Sequence, residues 1–131
     1  MVATLAGCFW RTYASRAAMH TELLLAMTRK GIDLVRARRF APENLPELYY
    51  PLDRARAFAA TARRRSGEDP PPSLPALETL LARYEAFCDA VDEMRRGPRT
   101  PPLRRAMRDA AREVDAAAAA VRRALAVEAR A

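Results

Sequence analysis

The sequence predicts an all-α fold, an up-down antiparallel four-helix bundle in a single domain over residues 1–131. Three observations carry this reading. Apolar residues recur at alternating spacings of three and four, no stretch shows the period-two alternation of a strand, and glycine and proline gather in a few breaks. Half of the residues are apolar, enough for a chain of 131 to enclose one core.

Prolines 70, 71 and 72 mark one loop, and Pro98, Pro101 and Pro102 mark another. The stretch FAPENLPE, residues 40–47, is a third break. Four helical segments result, about 3–39, 45–65, 74–95 and 101–128. Loops this short favour antiparallel neighbours.

In the first segment the stripe is Leu5, Phe9, Tyr13, Ala17, His20, Leu24, Met27 and Leu34, with Gly31 expected to end or kink the helix. The second presents Leu48, Leu52, Ala55, Ala59 and Ala62, with Phe58 alongside. Asn44 is its expected N-cap, and Glu47, three residues on, completes a capping box. Ser73 and Thr100 are the expected N-caps of the third and fourth. Gly67 and Gly97 follow arginine-rich helix ends, where a left-handed residue is wanted.

The third segment is the most regular. Leu74, Leu77, Leu81, Tyr84, Cys88 and Val91 take the a and d positions of a heptad, Leu80, Phe87 and Met94 the g column, and Glu78, Glu85 and Asp92 the e column. Three apolar columns are the width of a bundle face, not of a two-stranded seam. The fourth segment runs Leu103, Met107, Ala110, Val114, Ala117, Val121 and Ala124 around an alanine-rich centre that permits close approach of a neighbour.

The quartet LAGC, Leu5 to Cys8, spells the box at which bacterial lipoproteins are lipidated. A secretory signal requires a basic region and then roughly 7–15 apolar residues before cleavage. Only Met1 to Thr4 precede the box and none is basic, so a helical start is expected instead. Charges interrupt every window of about 18 residues, which argues against a membrane-spanning helix. Cys8 and Cys88 match no metal or redox spacing and read as buried thiols in a reducing cytoplasm.

No cofactor or metal is expected. His20 is the only histidine, and the residue three before it is Ala17, so the Glu-x-x-His of di-iron bundles is missing. It reads as a hydrogen-bonded core or boundary residue. Nucleophilic catalysis needs an oriented base beside the nucleophile, and only His20 offers one. The spacing from Arg16 to His20 is one residue short of an Arg-x4-6-His ribonuclease pair, and there is neither a phosphate-binding glycine loop nor a Gly-x-Ser-x-Gly. The protein is therefore expected to be non-enzymatic.

The charge is +7, with Lys30 the only lysine among 23 basic residues. Together with abundant alanine and proline, this bias matches a GC-rich bacterial genome. Arginines close the helices: Arg36, Arg38 and Arg39 the first, Arg63, Arg64 and Arg65 the second, Arg95 and Arg96 the third. Cations at C-termini complement the helix dipole by a few tenths to about 1 kcal/mol each. By segment, the net charges are +5 for 1–42, +2 for 43–66, −6 for 67–94 and +6 for 95–131. An antiparallel third and fourth helix would set Asp92 near Arg104 and Arg105, and Glu85 near Arg112. The unpaired remainder is then the basic first half.

Two functions fit. The first is a small basic subunit or accessory protein, in a homo-oligomer or larger complex, touching a nucleic-acid phosphate backbone through Arg36, Arg38, Arg39, Arg63, Arg64 and Arg65. The ends of the first two helices lie at opposite poles of an up-down bundle, so these six do not form one patch in a monomer. The second is a protein-protein adaptor or scaffold, of the antitoxin, immunity or chaperone kind, whose charge reflects genome composition. There one of Tyr49 and Tyr50, which cannot both face inward, marks an exposed partner surface.

Overall fold

The computed structural model describes the backbone of residues 2–131 and the side chains from residue 7 onward. Four helices follow one another: α1 (Val2–Arg36), α2 (Asn44–Ser66), α3 (Ser73–Arg96) and α4 (Pro101–Arg130). They form an up-down antiparallel bundle, the predicted fold. Each helix packs on its chain neighbour, α1 closes against α4, and α1 also reaches α3 across the bundle. One pole holds the starts of α1 and α3 with the ends of α2 and α4. The opposite pole holds the ends of α1 and α3 with the starts of α2 and α4.

All nine apolar residues of the three heptad columns of α3, Leu74 through Met94, are buried. The α3–α4 contact is the most extensive. Its closeness follows from Ala111, Ala117 and Ala118, which are buried beside Met107, Val114 and Val121 and hold the backbones apart by only a methyl group. On α1 the core residues are Tyr13, Ala17, Leu24, Leu25 and Val35, joined by Thr21 and Thr28. Both threonines donate to carbonyls one turn back, Ala17 and Leu24, at 2.8 Å, so burying their hydroxyls leaves nothing unpaired. Leu5 of the expected stripe and the first two residues of the LAGC box have side chains outside the described residues.

Several local expectations are corrected. Gly31 neither ends nor kinks α1: the helix runs through it, and Gly31 is buried. A Cβ there would lie 3.2 Å from Cε2 and Cζ of Phe87, so the missing side chain makes room for the ring. α1 stops at Arg36 instead of residue 39, and Arg38 adopts φ 56°. The Arg39 amide then bonds the Leu34 carbonyl at 2.9 Å, closing the helix as a Schellman turn with arginine where glycine is usual. Gly67 does have a positive φ of 61°, but Gly97 is extended.

Of the three N-caps, Thr100 behaves as expected: its Oγ1 accepts the Leu103 amide at 3.4 Å, ahead of Pro101 and Pro102. Asn44 lies inside α2 and turns backward, its Oδ1 accepting the Ala41 amide at 2.8 Å. Glu47 closes no capping box and pairs with Lys30 instead. Ser73 is the first residue of α3, and its side chain is engaged by other helices. Cys88 is buried, and burial pushes its thiol pKa up to about 12, whereas Cys8 is exposed, against expectation. No helix among the described residues is long and apolar enough to cross a membrane.

Candidate anion-binding site

The acidic edge of α3 faces α2, not α4. Glu78 receives Arg63, with Nε at 3.2 Å from Oε2, and Glu85 receives Arg56. Arg56 and Arg63 are two turns apart on α2, as Glu78 and Glu85 are on α3, so the antiparallel pair matches register. Asp92 is taken by Arg95 and Arg96 of its own helix. The expected pairs of Asp92 with Arg104 and Arg105, and of Glu85 with Arg112, are therefore absent. Arg112 instead meets Asp109, and the one α3–α4 bridge among the described residues joins Arg83 to Glu113. Arg122 forks onto Glu22 of α1, Nε to Oε1 at 2.8 Å and Nη2 to Oε2 at 2.7 Å.

The six arginines singled out from sequence divide between the poles. Arg63 is neutralised by Glu78, Arg64 reaches Thr61, and Arg65 lies over the Phe9 ring with Cζ 4.7 Å from its centroid. Arg36 and Arg38 are at the opposite pole and meet partners that sequence reasoning missed. With Arg99, Arg104 and Arg108 they line a cavity of about 270 Å³ floored by Val35, Met94 and Met107. No carboxylate lines it. None of the five guanidiniums makes an ion pair among the described residues. Arg39 is exposed beside this rim in sequence but does not line the cavity.

Local structure explains how the cluster is held. Arg99, in the loop before α4, donates to the Val35 carbonyl at 2.7 Å and so caps the end of α1 from across the pole. Arg104 donates to the Arg99 carbonyl at 3.1 Å. The left-handed turn at Arg38 folds the chain back over the end of α1. These bonds hold Arg99 and Arg104 in place.

The electrostatics of this pole are unfavourable to the free protein. Cations near the end of α1 are compensated by its dipole, but Arg104 lies in the first turn of α4, where the dipole is positive, and Arg108 follows one turn later. The first turn of α4 has no acidic residue, and Pro101 and Pro102 carry no amide hydrogens, so the donors here are guanidinium groups. Basic residues in the opening turns of the fourth helix were the sequence signal for this site. Helix-end complementarity explains Arg36 but not Arg104 or Arg108.

Tyr49 is half-buried and donates to Asp89 on α3 at 2.8 Å, while Tyr50 is 62% exposed, which resolves which of the two faces outward. His20 is 5% exposed, yet its Nδ1 has no hydrogen-bond partner, contrary to the expected hydrogen-bonded core histidine. Its pKa is lowered by burial first and then by Arg16 and Arg54. Among the described residues no three metal-ligating side chains come together. No protein-family model, curated protein or solved structure matches the chain.

Proposed function

We propose that the protein is a non-enzymatic helical-bundle subunit that grips a nucleic-acid phosphate backbone at its arginine-lined pole. The observation that carries this reading is the convergence of Arg36, Arg38, Arg99, Arg104 and Arg108 on one cavity without a carboxylate. Phosphate oxygens would relieve the mutual repulsion of these cations and take bidentate guanidinium bonds. The site differs from the sequence-based one: Arg36 and Arg38 stay, α4 and its leading loop replace α2, and Arg63 is removed by its pairing with Glu78. Nothing in the pole resembles a groove-reading element, so recognition is directed to the backbone and not to base sequence.

The test compares labelled single-stranded and duplex nucleic acid binding by the wild type, the triple variant R36Q/R104Q/R108Q and the double variant R63Q/R64Q. The pole variant is expected to lose at least about tenfold in affinity, at 1.5–3 kcal/mol per charged hydrogen bond. The second variant should bind nearly as the wild type does. The reverse order would refute the assignment.

The adaptor reading rests on a different observation. Met19 and Leu23, one turn apart on α1, and Tyr50 on α2 are large apolar side chains left exposed. Such a strip suits a partner helix of a larger assembly. Under that reading Leu23→Glu would abolish complex formation, whereas changes at the arginine pole would not.

A further inference from the structure

A second concavity, of about 520 Å³, lies between α1 and α2 near the other pole. Phe9, Arg16, Met19 and His20 line it from α1, and Arg54, Phe58 and Arg65 from α2. The Arg16 guanidinium sits over the Phe58 ring, 4.8 Å from its centroid, just as Arg65 sits over Phe9. Arg54 donates to the Tyr50 hydroxyl at 3.0 Å. Stacking on a ring or bonding one hydroxyl leaves most donors of each fork unused. No carboxylate lines the groove, and none of these three arginines makes an ion pair among the described residues.

His20 supplies an independent observation. A buried ring nitrogen without a partner costs stability, and native structures rarely tolerate one without a reason. Here the imidazole lines a groove with three cations and an apolar wall, and is tilted 38° against Phe58 at 5.0 Å. The volume falls within the range of small-molecule sites.

We propose that this groove binds a small aromatic oxyanion of the nucleoside monophosphate class. Its phosphate is held by Arg16, Arg54 and Arg65, its ring lies along Met19 beside Phe9, and the His20 ring, which lines the same groove, senses its arrival. Inorganic phosphate alone would leave the apolar wall uncovered, and an uncharged nucleoside would leave the arginines unpaired. The inference is independent of polyanion binding at the arginine pole. The two sites are some twenty residues apart along α1, about 30 Å at 1.5 Å per residue.

As the only imidazole, His20 gives a single Cε1–H signal in a proton–carbon NMR spectrum. Adenosine 5′-monophosphate, adenosine and inorganic phosphate would each be titrated into the wild type, R16Q/R65Q and R36Q/R104Q/R108Q. The expected result is a saturable shift of the His20 signal with the nucleotide. Phosphate and adenosine should bind at least about tenfold more weakly, and R16Q/R65Q should weaken the nucleotide about tenfold with an unchanged helical spectrum. The pole variant should respond as the wild type does. Absence of a saturable shift, equal affinity for phosphate and nucleotide, or loss of binding in the pole variant alone would each overturn the proposal. Failure of the polyanion reading would show only in the pole variant's nucleic-acid affinity.

Discussion

Glu128, near the end of α4, closes the start of α3 by binding Ser73, 55 residues before it. Its Oε1 accepts the Ser73 amide at 2.6 Å and its Oε2 accepts the Ser73 hydroxyl at 2.9 Å. Because that hydroxyl donates to Glu128, its oxygen accepts the Tyr13 hydroxyl at 2.9 Å, tying α1 into the same network. A carboxylate at a helix N-terminus satisfies an orphan donor and complements the dipole, the work of a local N-cap. Glu128→Ala should therefore cost about 1–3 kcal/mol, the price of a buried amide and hydroxyl left without an acceptor. Glu128→Gln should cost less, since one amide oxygen still accepts. Urea midpoints at constant slope would give both numbers.

Arg38 shows a conflict between stability and the proposed function. A non-glycine residue with φ 56° is strained, and glycine at this Schellman position would relieve up to about 1 kcal/mol. Arg38→Gly is thus expected to raise the melting temperature by a few degrees while weakening nucleic-acid binding. Thermal unfolding and binding measured on one preparation would check both signs. A variant that is less stable would show that the Arg38 side chain supports the fold through contacts at the pole.

Acidification acts on His20. Its pKa in the folded protein is depressed from 6.5, by burial foremost and by Arg16 and Arg54. Below pH 6.5 the unfolded chain binds the proton more readily than the native one, so the neutral imidazole's contribution is present above 6.5 and is lost as pH falls through this window. His20→Asn removes the titration and should flatten the loss of stability between about pH 7 and 5 relative to the wild type. Chemical unfolding at a series of pH values would detect the difference.

The third helix was legible in its sequence because α1, α2 and α4 surround it, and three columns of apolar side chains report three neighbours. Its e column announced a charged edge, but not which neighbour it faces. That depends on the angular offset between helices, and the offset turned Glu78 and Glu85 toward Arg63 and Arg56. Helix ends were misread wherever the cap is distant in sequence. Glu128 serves Ser73, and Arg99 serves Val35. Spacing rules register only partners within a turn or two. Gly31 had the composition of a breaker, but its role is set by Phe87, a contact between α1 and α3. The arginine pole was half visible: Arg36 and Arg38 stood among the candidates read from sequence, while Arg104 was assigned to a pair with Asp92 that does not form and Arg108 was not singled out.

The most direct measurement is the salt dependence of nucleic-acid affinity for the wild type and for R36Q/R38Q/R104Q/R108Q. Each phosphate neutralised on duplex DNA contributes about −0.9 to the slope of log affinity against log salt. With four pole arginines engaged, the wild-type slope should be near −3.6, about a hundredfold loss between 50 and 200 mM salt. The quadruple variant should bind weakly with a slope close to zero. Equal slopes for the two proteins would place the phosphate contacts elsewhere and contradict the assignment of the pole.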